Sequence, residues 1–276
     1  MLGKLFKEEW RNSRNIPFLF VAILLATSLL AGLTFAFPIW ESEWVGLPLS
    51  AMMLILLYYF AMIVCTVGIM VYLAVRFYKS MYTDEGYLTH TLPTTARQTL
   101  LSKILTMSLW QLISVVAILA SFIIFGTMVV VFLAPMEELN FADFWEELRQ
   151  LAQNDFLRGW QGFVASVIAM MLIGCFSSTA LLTGAISLGQ MVRKHRILGA
   201  IGAYFAIQFA IQMITVVCLI PFYVKLFNNP YESMQGVSIF AVYTPIYAVT
   251  AVVMLIVGIV MYFINENLVK KHLELE

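Results

Sequence analysis

An all-α integral membrane protein crossing the bilayer about six times is the fold class this sequence predicts, and three observations predict it. Of the 276 residues, 62% are hydrophobic and only 12% are charged, where a soluble domain averages about 45 to 50% apolar and 25% charged; mean hydropathy is +0.89. Six apolar runs each reach the roughly 20 residues that a helix needs to cross hydrocarbon. Lys and Arg fall in alternate segments between those runs, as they do where one side of a membrane retains basic residues.

Residues 1–15 place Leu2, Leu5, Phe6 and Trp10 at helical spacing, with Lys4, Lys7, Arg11 and Arg14 on the other faces. This pattern predicts an amphipathic helix at the membrane surface. The first apolar run, 16–37, exceeds the hydrophobic region of a cleavable signal peptide and is expected to stay as the first span. The second, 47–78, and the third, 95–134, are both too long for a hydrocarbon core of about 30 Å and must tilt or project into water. Thr95 followed by Gln98 fits a capping box at the start of the third.

The remaining spans are read at 160–192, 197–220 and 239–264. Pro221, Pro230 and Pro245 punctuate the last connection and predict a broken or re-entrant segment. Within the fourth span, Gly174 and Ser178, Ala180 and Gly184, and Ala185 and Gly189 stand four apart. Such pairs bring helix backbones close together, within one subunit or across a dimer.

Thirteen of the 16 Lys and Arg residues lie on one set of alternate segments and three on the other. The positive-inside rule then places both termini in the cytoplasm. Residues 135–158 form an outer acidic segment whose Phe141, Phe144, Trp145, Leu148 and Ala152 recur at helical spacing. A short amphipathic helix is expected there, either as a packing lid or as a cargo contact.

Several chemistries find no support in the sequence. Lys+Arg and Asp+Glu are both 16, so no excess of positive charge points to nucleic acid. Cys65, Cys175 and Cys218 lie in apolar runs and are read as buried small side chains rather than a disulfide framework. His90, His195 and His272 fall outside the spans, leaving no imidazole there to activate a nucleophile or ligate a metal. The run Gly184 to Gly189 lacks the G-x-S-x-G spacing of a nucleophile elbow. Gly3-Lys4 has no phosphate-binding pattern around it, so no nucleotide site is expected in this chain.

Polar residues inside spans are few. Gln111 in the third and Gln208 with Gln212, four apart in the fifth, are candidates either for hydrogen bonding between helices or for lining a translocation path.

The most distinctive polar stretch connects the two over-long helices, at 82–94, and reads YTDEGYLTHTLPT. Thr83 or Asp84 can cap a short helix, Asp84 and Glu85 suit its N-terminal dipole, and Pro93 ends it. Tyr87, Leu88 and Leu92 then present apolar surface away from lipid. That surface either docks a soluble partner, the reading adopted, or packs as a turn against the N-terminal helix.

At these residues, with the following Leu101-Ser102-Lys103, the chain resembles the permease subunits of ABC-2 type transporters of Gram-positive bacteria. The layout is similar too: an interfacial N-terminal helix, six spans, a cytoplasmic segment after the second, and a Pro-broken outer segment before the sixth. The resemblance implies an ATP-driven exporter in the plasma membrane. In it, this chain pairs with a second copy or a related permease and with cytoplasmic ABC ATPase subunits, which hold ATP and Mg. It further implies a coupling helix made of Thr83, Asp84, Glu85, Gly86, Tyr87, Leu88, Thr89, His90, Thr91 and Leu92, entering a groove on the ATPase. An amphipathic or apolar cargo, such as a peptide, drug or lipid, suits spans that carry almost no fixed charge. The alternative is a non-transporting scaffold or sensor subunit that docks a cytoplasmic partner.

Overall fold

The computed structural model describes residues 2–37, 39–40, 44–83, 86, 95–133, 146, 159–192, 195–228 and 239–271. Among them are a short helix α1 (Leu2–Ser13) and six long ones: α2 (Asn15–Leu33), α3 (Gly46–Tyr82), α4 (Ala96–Leu133), α5 (Trp160–Gly189), α6 (Arg196–Asn228) and α7 (Ile239–Lys271). All six long helices are apolar and long enough to cross a membrane. The protein is therefore an all-α, multi-pass integral membrane protein.

The two helices read as over-long are so. α3 has 37 residues and α4 has 38, about 55 Å each at 1.5 Å per residue. Each is longer than a hydrocarbon core of about 30 Å, so it tilts strongly or projects from it. Thr95 begins α4 as the capping box expects, its hydroxyl accepting the Gln98 N–H at 3.3 Å.

One stripe organises α3. Tyr58, Ala61, Cys65, Ile69, Leu73, Phe77 and Met81 are buried at every third or fourth position, the spacing that keeps side chains on one helix face. They meet Leu100, Ile104, Met107 and Trp110 of α4 in one core cluster. In α5, burial is continuous over Ala180–Ala185 and concentrates toward Gly189. The core thus sits toward one end of the bundle. Arg76, Lys79, Arg97, Lys103, Arg196 and Lys270 lie at that same end, hereafter the basic end.

Small residues explain the tightest pairing, α5 on α7. A Cβ on Gly258 would lie 3.1 Å from the Ser177 Cα, and one on Gly184 would lie 2.6 Å from the Met261 methyl. The Ser177 hydroxyl donates to the Met254 carbonyl at 2.6 Å, fastening the pair from within. Of the small residues read in α5, Gly184 packs on α7 and Gly189 on Ala200 of α6, whereas Gly174 has nothing within 4 Å and Ser178 is exposed. Without side chains in the way, two backbones approach closely and gain dispersion and hydrogen bonding where hydrocarbon offers no solvent drive.

α1 is the amphipathic helix read at residues 1–15, and its Trp10 ring stacks on Trp110 with centroids 4.3 Å apart. Two features differ from the sequence reading. α6 runs on through Pro221 to Asn228, past the span end read at Ile220, and α7 contains Pro245. Proline is accommodated in membrane helices because local adjustments and neighbours satisfy the freed carbonyl. The second difference is Cys218, which is exposed while Cys65 and Cys175 are buried. Its helix, α6, is covered by neighbours along one side only, with Phe205, Phe209, Met213 and Val217 all exposed. Residues 229–238, with Pro230, and the amphipathic segment 135–158 apart from Glu146 lie outside the described residues.

Candidate functional site

The polar chemistry collects at the basic end, around the two helix tips that flank residues 83–95. Tyr82 is the last residue of α3 and is buried. Its hydroxyl lies 2.6 Å from the Ser187 Oγ on α5. Ser187 directs its own proton to the Asn265 Oδ1 of α7 at 2.6 Å, with the Thr183 carbonyl as a second acceptor at 3.0 Å. The Tyr82 hydroxyl is therefore the donor in the first bond. Three helices are joined by this chain of buried side chains, and Asn265, fully buried, keeps its Nδ2 without a hydrogen-bond partner among the described residues. Short bonds in a low-dielectric interior reinforce one another, so such a chain holds its members in register.

The other flank, the start of α4, reaches the next residue of α7. Arg97 Nε stands 4.0 Å from the Glu266 carboxylate, and Lys270 Nζ donates to the same carboxylate at 2.6 Å. Glu266 is almost buried. Consecutive residues of α7, Asn265 and Glu266, are thus tied to the two ends of one connection.

A second cluster holds α1 to the same tips. Lys103 on α4 is buried, with its ammonium paired to Glu9 and donating to the Ser80 Oγ at 2.9 Å. Arg76 on α3 pairs with the other Glu9 oxygen at 3.4 Å and donates to the Asn12 carbonyl at 2.7 Å. One carboxylate on α1 therefore bridges cations from α3 and α4. A cleft of about 20 Å³ lies among Glu9, Ser13, Arg76, Ser80, Lys103 and Thr106, room for about one water molecule.

Of the residues read as a coupling helix, Thr83 and Gly86 are described. The Thr83 hydroxyl donates back to the Lys79 carbonyl at 2.6 Å, closing α3. Gly86 folds back so that its N–H meets the Thr83 carbonyl at 2.7 Å. A Cβ there would stand 2.6 Å from the Met81 carbonyl oxygen, so glycine is required by the close approach. Asp84, Glu85, Tyr87, Leu88, Thr89, His90, Thr91 and Leu92 lie outside the described residues.

The three glutamines are not gathered into one interior groove. Gln111 is half-buried on α4, while Gln208 and Gln212 are exposed on the outward side of α6. Sequence reasoning gave Tyr82, at the head of the polar stretch, no role of its own and passed over Asn265 and Glu266, because each stands at the edge of an apolar run, where polar residues are ordinary. A legible signal was the Asn265-Glu266 pair one turn before Lys270, which places an acid among apolar helix residues with a cation at i+4. Among the described residues, no three of His, Cys, Asp and Glu stand together as metal ligands.

These elements define the class: a multi-pass helical membrane protein whose polar interior bonds tie helix ends together at one face of the bundle. Compared with known proteins, the chain matches no family model, no curated protein and no solved structure.

Proposed function

We propose that this chain is the permease subunit of an ATP-driven ABC-2 type exporter in the plasma membrane, with both termini in the cytoplasm. The single observation that supports this reading is the anchoring of both ends of the 83–95 connection to the interior: Tyr82 through Ser187 to Asn265, and Arg97 to Glu266. A connection built in this way suits the receipt of force from outside the bilayer. ATP and Mg are held by separate ATPase chains, and closure and opening of those chains push on residues 83–92. The response is a change in how the spans pack, in a complex with a second copy or a related permease. The 13-to-3 distribution of Lys and Arg supports the orientation. Spans lined by aliphatic and aromatic side chains suit an amphipathic or apolar cargo.

Purification from native membranes tests the reading: an ABC ATPase is expected to co-purify with the chain. Tyr87→Ala and Leu88→Ala are expected to weaken that association about 30-fold each, because apolar anchors at small interfaces contribute roughly 2 kcal/mol or more. Isolation of the chain with no ATPase, or full association by both variants, would count for a scaffold or sensor role.

A further inference from the structure

We propose that Tyr82 and Arg97 are positioning residues that convert a displacement of the 83–95 connection into movement of α5 and α7 as one unit. This inference rests on the reading of residues 83–92 as the place where a moving partner acts.

Four observations carry it. The two flanks converge on adjacent residues of a single helix, Tyr82 by hydrogen bonds through Ser187 to Asn265 and Arg97 by a 4.0 Å ion pair to Glu266 of α7. A displacement of the connection at Tyr82 therefore strains the hydrogen bonds that lead to α7, and one at Arg97 changes its charge contact with the same helix. The Tyr82 flank passes through Ser187, so α5 is drawn along with α7. α5 and α7 are in turn locked to each other by the Gly184–Met261 and Gly258–Ser177 contacts and by the Ser177 bond to the Met254 carbonyl. Packed cores shift between discrete arrangements rather than stretching, so two helices joined this closely respond as a body.

The fourth observation is the Asn265 Nδ2, buried with no acceptor among the described residues. A buried amide donor left open costs free energy and favours any second arrangement that supplies an acceptor. Among the described residues the network is thus satisfied toward Tyr82 and leaves a donor open at Asn265. Charged groups facing it are Arg97 and Lys270, both on Glu266. By contrast, the Glu9 cluster fastens α1 to α3 and α4 and does not enter this chain of bonds.

Hydrogen exchange of the whole chain in nanodiscs tests the proposal without any ATPase. Gly86→Pro displaces the connection at the contact with Met81. In the otherwise native chain it is expected to speed exchange by about fivefold or more at residues 183–190 and 262–270, with α2 unchanged. With Tyr82→Phe and Arg97→Gln added, the effect of Gly86→Pro at those two stretches is expected to vanish. Should Gly86→Pro loosen α2 as well, Gly86→Ala, which adds only the Cβ, provides the same comparison. A response that never reaches α5 and α7, or one of equal size with Tyr82 and Arg97 replaced, would overturn the proposal. ATPase co-purification is read on the same variants. Loss of any ATPase partner overturns the exporter reading alone, because the exchange measurement does not depend on it.

Discussion

The indole of Trp10 lies flat on the indole of Trp110, with ring centroids 4.3 Å apart and planes 6° from parallel. This contact, 100 residues apart in sequence, settles where the first helix goes. The Trp110 N–H donates to the Ser13 hydroxyl at 3.0 Å, and the Phe18 ring meets the same indole edge-on. Trp110 is fully buried. Trp110→Ala is therefore expected to destabilise the protein by about 3 kcal/mol or more. Trp10→Ala, at a half-buried position, is expected to cost less and to act chiefly on α1. Thermal unfolding in detergent ranks the two variants, and proteolysis within residues 2–13 reports release of α1.

Glu9 supplies the compensating charge for a buried ammonium, and that makes it sensitive to neutralisation. Glu9→Gln leaves Lys103 with neutral acceptors, the Gln amide oxygen and the Ser80 hydroxyl, and no compensating charge; an unpaired buried charge typically costs about 3 to 5 kcal/mol. The double variant Glu9→Gln with Lys103→Met is expected to regain most of that loss, because the uncompensated charge is gone. Arg76, partly exposed, keeps its bond to the Asn12 carbonyl in both. Denaturation of the two single variants and the double one gives the coupling directly.

Close packing of α5 and α7 leads to a steric expectation. A Gly258→Val side chain enters space already held by the Ser177 backbone and hydroxyl. Overpacking of this kind costs about 1 to 3 kcal/mol. Gly174→Ala, where nothing stands within 4 Å, is expected to be neutral within about 0.5 kcal/mol. Comparison of melting temperatures in the same detergent checks both, and equal melting of Gly258→Val and the native chain would contradict the close contact.

Topology is open to labelling. In a chain with Cys65, Cys175 and Cys218 replaced, single cysteines at Thr89 and Gln150 are expected to react with an impermeant maleimide from opposite sides of the membrane. The orientation proposed from the Lys and Arg asymmetry has Thr89 inside and Gln150 outside. Reaction of both from the same side would contradict the orientation proposed for the protein.

Much of the architecture was readable in the linear order of residues. The six spans, the excess length of α3 and α4, and the Thr95 cap follow from run length and local hydrogen-bonding chemistry, which depend only on near neighbours. Pro221 misled the reading because its local effect, a lost N–H and a crowded carbonyl, is absorbed in a membrane helix. The small residues of α5 announced a close contact, yet the identity of the partner helix awaited the packing of Gly184 on Met261 and Gly258 on Ser177.

By itself the sequence determined that this chain crosses a membrane, how many times, where its basic residues cluster, and which connection is the polar one. Only the tertiary structure decided that Tyr82 meets Ser187, 105 residues away, that Ser187 meets Asn265, 78 residues further on, and that Glu9 joins Arg76 to Lys103. The physical reason lies in the solvent. In water, polar and apolar faces tell a helix which side is inside, but in hydrocarbon the lipid-facing and core-facing sides are both apolar. Helix rotation and register are then set by close packing and by a few polar bonds between distant residues, and no local pattern in the chain encodes which residues those will be.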